Sequence, residues 1–206
     1  MKYFDNFYCK IKDNLYFVVI SKNACTSIKK YILDNKNIIY YNFHDLHNLI
    51  GYSENEFLTL VKNKNKINGI KFAIYRDPIN RAISSYKHIK YSGYCGRYIL
   101  NSFDEYIELC KIHLNENYIN CDEHIRRQSD YYKENDVDYV IDIKILNDFL
   151  KKFNININIE NESPKIPIEL SESQISILKK LYENDYNILN YKNYISSLDD
   201  LKNINI

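Results

Sequence analysis

The feature that most constrains this chain is a short apolar run that gives way to a basic, hydroxyl-rich turn and then to a helical pattern. Tyr16 to Ile20 are consecutive apolar residues followed by the polar Ser21 and Lys22, which is typical of a buried strand. Ile28, Tyr31 and Ile32 then share one face of a predicted helix. A helix N-terminus offers unpaired N–H groups and the positive end of the helix dipole, so the turn is suited to hold an anion.

The side chains of this turn strengthen that interpretation. Lys22 adds a mobile positive charge, and Thr26 and Ser27 add hydroxyl donors. The plainer alternative is a strand-to-helix turn in which Thr26 only caps the helix. The glycine-rich pattern of nucleoside-triphosphate loops is absent, since no glycine lies between Tyr16 and Ile50.

A second strand, turn and helix is predicted over residues 70–90. Asp77 is suited to cap this helix and Pro78 to begin it. Arg76 stands at the strand end and Ser84 two turns into the helix, so we expect them to meet around one phosphate, which the arginine grips with two donors. The polar residues off the apolar stripe of this helix are Arg81, Ser84, Ser85 and His88.

Together the two segments resemble the paired signatures of the sulfotransferases that use 3′-phosphoadenosine 5′-phosphosulfate (PAPS), especially the branch that modifies carbohydrates. In that family a Lys-x-x-x-Thr-Ser loop binds the 5′-phosphosulfate, and an Arg-Asp-Pro-x-x-Arg-x-x-Ser segment binds the 3′-phosphate. The resemblance implies 3′-phosphate contacts from Arg76 and Ser84, a carbohydrate acceptor and no metal. The implied phosphosulfate loop comprises Lys22, Asn23, Ala24, Cys25, Thr26 and Ser27.

The resemblance extends from about residue 15 to about residue 191. His124 and Gln128 match the ends of the family's His-Trp-x-Pro-Gln segment, with Ile125 in place of the tryptophan and Arg127 in place of the proline. Leu181-Tyr182-Glu183-Asn184-Asp185 is similar to its closing Tyr-x-x-Asp helix. The departures lie on the acceptor side, whereas the PAPS-binding segments match.

Sulfuryl transfer needs a cation near the departing phosphate and a base near the acceptor hydroxyl. Lys22 is the predicted cation. His44 is a candidate base because it follows the predicted strand 37–42 beside the Lys22 loop, and His124 is a candidate because it lies in the family-like segment. His47 is a further alternative. His88 and His113 are expected on helix surfaces.

The alternation of strands and helices predicts an α/β protein, a single domain over residues 1–206 with a P-loop-like open parallel sheet flanked by helices. In such sheets ligands lie beyond the carboxyl ends of the strands, where both phosphate loops begin. Ser171 and Gln174 form a predicted capping box. The predicted strands are 15–20, 37–42, 70–75 and 137–141, and the predicted helices are 27–35, 54–65, 78–90, 103–113, 122–134, 144–153 and 173–189.

Composition bears on partners and location. The net charge of +1 argues against a nucleic-acid binder. The five cysteines include no Cys-x-x-Cys pair, which indicates free thiols in a reducing compartment, and Cys25 is interpreted as a small space-filling residue. No apolar run approaches the ~20 residues of a membrane span, and the N-terminus lacks the apolar stretch of a secretory signal. We therefore expect a cytoplasmic protein with no integral membrane segment.

Two other classes of function remain open at the level of sequence. One is a P-loop-like nucleotide kinase, for which Asp77 is the obvious candidate Mg²⁺ ligand. The other is a non-catalytic module that binds adenosine bisphosphate. The tyrosines between Lys90 and Ser102 either contact a sugar ring or pack on the sheet. The sequence names neither the acceptor glycan nor the oligomeric state.

Overall fold

The computed structural model of the protein describes residues 8–37, 39, 60–61, 64–91, 98–115, 121–157 and 166–204. Its strands are β1 (Tyr8–Lys12), β2 (Leu15–Val18), β3 (Leu60–Val61), β4 (Ile70–Tyr75), β5 (Tyr139–Asp142) and β6 (Tyr194–Ile195). Its α-helices are α1 (Cys25–Asn35), α2 (Pro78–Tyr91), α3 (Phe103–Asn115), α4 (Leu146–Lys151), α5 (Glu172–Leu181), α6 (Glu183–Tyr186) and α7 (Leu198–Lys202). No helix in the described ranges has the length and apolar character that a membrane span requires.

The strands form one six-stranded sheet in the order β3-β1-β2-β4-β5-β6. Strands β2, β4, β5 and β6 run parallel, whereas β1 pairs antiparallel with both β2 and β3. The predicted class, an α/β protein with an open, mostly parallel sheet flanked by helices, is confirmed, and the antiparallel edge is an addition to it. Because β2 and β4 are parallel neighbours, the segments after Val18 and after Tyr75 begin at the same edge of the sheet.

The central strand β4 is buried on both faces, as strands of parallel sheets usually are. Phe72 and Ile74 pack with α1 and α4 in one apolar cluster, whereas Ala73 and Tyr75 belong to a cluster on the opposite face. A third cluster joins α2, α3 and α5. The two-sided core fixes the position of the carboxyl end of β4, where Arg76 follows.

The predicted helix 122–134 is wrong. Residues 122–126 make a single turn, and Gln128–Asp130 and Glu134–Asp136 are 3₁₀ turns. The backbone N–H groups of Gln128 and Ser129 donate to the buried carboxylate of Asp185 instead of to carbonyls of the preceding turn. A distant side chain therefore interrupts a segment whose local pattern favours a helix.

Two other predicted helices also differ from the structure. The helix predicted over 173–189 starts with the expected capping box at Ser171, but α5 ends at Leu181 and is followed by α6 and a 3₁₀ turn. Of the predicted helix 54–65, Leu60–Val61 form strand β3, Lys64 and Asn65 belong to a 3₁₀ turn, and the rest lies outside the described residues.

The predicted strand 37–42 lies almost wholly outside the described residues. Asn37 and Ile39 are the exceptions, and neither belongs to a strand. His44 and His47, which follow this segment, also lie outside the described residues.

Candidate active site

The loop between β2 and α1 is shaped by two residues in the left-handed region. Lys22 has a φ of 69° and Ala24 a φ of 58°, values that are uncommon for residues other than glycine. Ala24 is the N-cap of α1 and makes no side-chain cap hydrogen bond, and no acidic residue lies in the first turn. The backbone thus forms a concave turn at an uncapped helix N-terminus, the arrangement that suits a phosphate group.

The side chains inside this turn are mostly buried. Thr26 does not cap α1, because Ala24 holds the N-cap position and Thr26 lies in the first turn; that plainer alternative is wrong. Ser27 is buried, and Thr26 is half-buried. Cys25 packs in the apolar cluster with Ile28, as expected of a space-filling residue.

Asn23 connects this loop to the neighbouring strand. Its Nδ2 donates to the carbonyl oxygen of Ile74 and to Oε1 of Gln128, both at 2.6 Å. The side chain is 2% exposed. Both N–H groups of its side-chain amide therefore donate within the protein, and its backbone N–H donates to the carbonyl oxygen of Ile20 at 3.3 Å.

The second predicted segment begins as the sequence indicates. Oδ1 of Asp77 accepts a hydrogen bond from the backbone N–H of Asn80 at 2.9 Å, and Pro78 is the first residue of α2. Arg76 extends toward the first loop, where its Nη1 donates to the carbonyl oxygen of Lys22 at 2.8 Å. The structure thus joins the two predicted phosphate segments through Arg76 and Lys22. Ser84 lies buried on α2.

Arg81 is almost fully buried at this edge of the sheet, with 1% exposure. Its Nε donates to the carbonyl oxygen of Ser21 at 3.1 Å, its Nη1 to that of Arg126 at 2.8 Å and its Nη2 to that of Glu123 at 3.2 Å. All three acceptors are neutral carbonyl groups. A buried charge whose hydrogen-bond acceptors are neutral is stabilised further by an anion nearby, because desolvation of the charge is costly.

The electrostatics of Arg76 show the same excess of positive charge. Burial and the charge of Arg81 lower the pKa of Arg76 to about 10, and Asp77 offsets this only in part. Arg76 stays protonated at neutral pH, so two guanidinium groups lie close together. An anion with two or three negative charges is the complement that such an arrangement favours.

Gln128 fixes the backbone of Arg76. Its Oε1 accepts from the Arg76 N–H at 3.0 Å, and its Nε2 donates to the Arg76 carbonyl at 2.8 Å. The same Oε1 accepts from Asn23, so one amide group joins both loops. Asp185 accepts from the N–H groups of Gln128 and Ser129 at 3.0 and 2.9 Å and thereby holds the glutamine in place.

His124 is paired with a carboxylate. Oδ1 of Asp122 accepts from Nδ1 and from the backbone N–H of His124, both at 2.9 Å. Burial alone raises the pKa of Asp122, but these hydrogen bonds outweigh it and the pKa lies below its usual value. An ionised carboxylate only accepts, so Nδ1 carries the proton and the basic lone pair is on Nε2.

The two histidines expected on helix surfaces are not there. His88 is half-buried and stacks on His124, with ring centroids 4.6 Å apart. His113 is half-buried and accepts a hydrogen bond from the backbone N–H of Asp122. Apolar periodicity gave no sign of either contact, because both join residues on different elements.

One guanidinium group links the predicted base to the predicted anion loop. Arg81 contacts Ser21 at the start of the loop and Glu123 and Arg126 on either side of the turn that carries His124. Sequence reasoning noted Arg81 and Gln128 as parts of motifs but assigned them no role. The motif spacing singled out both residues, but it did not identify the residues to which they are hydrogen-bonded.

The geometry can be compared with known proteins. A model described as the sulfotransferase family matches residues 5–159, a range that includes Lys22, Arg76, Arg81, His124 and Gln128. Searches of the curated proteins and of the solved structures found no match. The described residues after 165, which supply Tyr182 and Asp185, lie beyond the matched range.

Proposed function

The chain belongs to the sulfotransferase family, and on that premise we propose that it transfers a sulfuryl group from PAPS to a hydroxyl group of a carbohydrate. The observation that carries the proposal is the positively charged junction of the two loops. There Arg76 and Arg81 are held by backbone carbonyls beside the uncapped N-terminus of α1. A donor with a phosphosulfate and a separate 3′-phosphate supplies negative charge that complements the two guanidinium groups.

The proposed donor occupies both loops. The 5′-phosphosulfate lies at the N-terminus of α1, where the backbone of residues 22–27 and the hydroxyls of Thr26 and Ser27 donate to it. The 3′-phosphate is bound by Arg76 and Ser84. Arg76 uses Nη1 on Lys22, which leaves Nε and Nη2 on one edge of the guanidinium for a phosphate.

The chemical step is an in-line transfer of SO₃. The bond from sulfur to the acceptor oxygen forms while the bond from sulfur to the phosphate oxygen breaks, so negative charge grows on that phosphate. Lys22 neutralises this charge, an effect worth about 3 kcal/mol for one well-placed donor. His124 takes the proton of the acceptor hydroxyl on Nε2, and Asp122 stabilises the imidazolium that results.

His124 is favoured over His44 as the base because its hydrogen bond to Asp122 supports its orientation. The carboxylate on Nδ1 fixes both the tautomer and the ring, as a general base requires. The roles of His44 and His47 stay predictions, since both lie outside the described residues.

The acceptor and location complete the proposal. A sugar hydroxyl of a surface glycan or its precursor is proposed from the resemblance to the carbohydrate-modifying branch. A cytoplasmic location is proposed because four cysteines, Cys9, Cys25, Cys110 and Cys121, are free thiols, which a reducing compartment maintains. The nucleotide-kinase alternative loses its support because Asp77, its candidate Mg²⁺ ligand, caps α2.

Calorimetry with adenosine 3′,5′-bisphosphate, the desulfated donor, tests the binding half of the proposal. We expect the wild-type protein to bind it and the double variant Arg76→Ala/Ser84→Ala to bind at least about tenfold more weakly, because a charge-assisted contact is lost. Lys179→Ala, an exposed lysine on α5, is the matched control and should bind normally. Absence of wild-type binding, or equal binding by the double variant, overturns the proposal.

Transfer of ³⁵S from labelled PAPS to glycans of the host tests the catalytic half. Lys22→Ala should keep its affinity for the bisphosphate while turnover falls about a hundredfold or more. Turnover should persist with a chelator present, because the proposed step uses no metal. Binding without turnover in the wild-type protein would instead identify a non-catalytic module.

A further inference from the structure

His113 lies directly behind the carboxylate that pairs with His124. It belongs to the last turn of α3 and is half-buried. Its Nδ1 accepts from the backbone N–H of Asp122 at 3.2 Å, and its Nε2 lies 3.1 Å from the hydroxyl oxygen of Tyr98. The rings of Tyr98 and His113 meet edge to face, with centroids 5.7 Å apart.

These contacts determine the protonation of His113. A backbone N–H can only donate, so Nδ1 of His113 must carry a lone pair and the ring is neutral with its proton on Nε2. That proton is donated to the Tyr98 oxygen. His124 has the opposite tautomer, because its Nδ1 donates to the Asp122 carboxylate.

Asp122 therefore stands between two histidines. Its backbone N–H is held by His113, and its side chain holds His124. Asp122 is 4% exposed, so an unmatched N–H at this position would be a buried donor without an acceptor. Without His113 the residue would shift to satisfy that donor, and the carboxylate would leave its alignment with the His124 ring.

We infer that His113 is a positioning residue, which fixes Asp122 through its backbone and thereby sets the tautomer and orientation of His124. Its effect on turnover rests on the proposed function, in which His124 is the base. Its effect on the tautomer of His124 does not, because that property belongs to the protein without substrate. Groups that orient a reacting side chain from behind commonly alter activity by about 10-fold to 100-fold.

Four variants separate the hydrogen bond from the volume of the ring. His113→Asn places an amide oxygen near the position of Nδ1 and should accept from Asp122. His113→Gln reaches the position of Nε2 instead, and His113→Leu fills the space with no acceptor. Tyr98→Phe removes only the partner of Nε2 and leaves the Nδ1 contact in place.

The direct readout is nitrogen-15 NMR of the histidine rings in the protein without ligand. The wild-type protein should show a proton on Nε2 of His113 and on Nδ1 of His124. His124 should keep that pattern in His113→Asn and Tyr98→Phe and lose it in His113→Gln and His113→Leu. Should the leucine variant fail to fold, the asparagine and glutamine variants still decide the question.

The kinetic readout is the separation of kcat from KM. His113→Leu and His113→Gln should lower kcat about tenfold with an unchanged KM for PAPS, while His113→Asn stays within about threefold of the wild-type protein. An unchanged His124 tautomer in His113→Gln and His113→Leu overturns the inference. If the His124 tautomer changes as expected but the wild-type protein transfers no sulfuryl group, the proposed function is overturned. The positioning role of His113 then remains supported.

Discussion

At the scale of the residue, Asp122 has two separable effects. Its carboxylate accepts two hydrogen bonds from His124, which lower its pKa in the folded protein against the effect of burial. A carboxyl group whose pKa is lowered on folding stabilises the folded state above its unfolded pKa, and that contribution is lost as the pH falls through the folded pKa. The hydrogen bond from Nδ1 also gives His124 the tautomer that the proposed base needs.

Asp122→Asn tests both effects. The amide can donate to Nδ1 of His124 and so favour the wrong tautomer, and we expect kcat to fall about a hundredfold or more while binding of adenosine 3′,5′-bisphosphate is retained. The loss in unfolding free energy should be largest at neutral pH and shrink as the pH falls below 3.8, the ordinary value of the carboxyl group. Urea titrations at several pH values measure it. A loss of stability that does not vary with pH would contradict the assignment.

How well residues were predicted depended on where their partners lie. Lys22 and Arg76 were found from short motifs, and their contact with each other follows from the parallel pairing of β2 and β4. The three carbonyl partners of Arg81 come from segments that local sequence does not relate. The pairing of Asp122 with His113 likewise joins α3 to a separate turn.

At the scale of the element, the N-terminal end of α1 combines features that suit the proposed anion with features that cost stability. Ala24 provides no capping side chain, and two non-glycine residues of the loop have positive φ, which costs of order 1 kcal/mol each. An anion at this position would satisfy the first-turn N–H groups and the helix dipole together. An acidic side chain placed there should therefore mimic the ligand.

Ala24→Asp tests the role of this helix end. The carboxylate should leave the stability unchanged or raise it by up to about 1 kcal/mol through its interaction with the helix N-terminus. It should also weaken binding of adenosine 3′,5′-bisphosphate by at least about tenfold, because like charges compete for one position. Ala24→Asn has the same shape without the charge and is the matched control. Equal affinities of the two variants, measured by calorimetry, would contradict the placement of an anion at this helix end.

The helix starts that carry a capping signal were the boundaries that the sequence predicted well. The capping box of Ser171 and Gln174 and the Asp77-Pro78 start of α2 both occur in the structure. The segment 122–134 had a helical pattern but no helix, because Asp185 takes the N–H groups that a helix would use. Such competition from a distant side chain leaves no local trace.

At the scale of the whole molecule, anion binding depends on arrangement rather than on total charge. The chain has 28 basic and 27 acidic residues, so its net charge is +1. Residues after 165 contact the segment that carries Gln128, which in turn holds the backbone of Arg76. Tyr182 donates to the carbonyl of Ile125 at 2.8 Å, and Asp185 accepts from Gln128 and Ser129. A region beyond the family match thus supports the site from behind.

Asp185→Asn tests this long-range support. The side chain is fully buried, and its replacement turns one acceptor oxygen into a donor that faces the N–H groups of Gln128 or Ser129. We expect a loss of about 2 to 4 kcal/mol in unfolding free energy, measured by urea titration. Because Gln128 also holds the backbone of Arg76, the affinity for adenosine 3′,5′-bisphosphate should fall as well.

The matched control for Asp185→Asn is Glu183→Gln, which removes the same charge from an exposed position on α6. It should change the unfolding free energy by less than about 0.5 kcal/mol. A ligand that binds only the folded protein raises its thermal midpoint by an amount that grows with the logarithm of the ratio of the ligand concentration to Kd. The same excess of bisphosphate should therefore protect Asp185→Asn less than Glu183→Gln. Equal protection of a destabilised Asp185→Asn protein would mean that the carboxylate supports the fold but not the Arg76 junction. The brace after residue 165 would then be separate from donor binding.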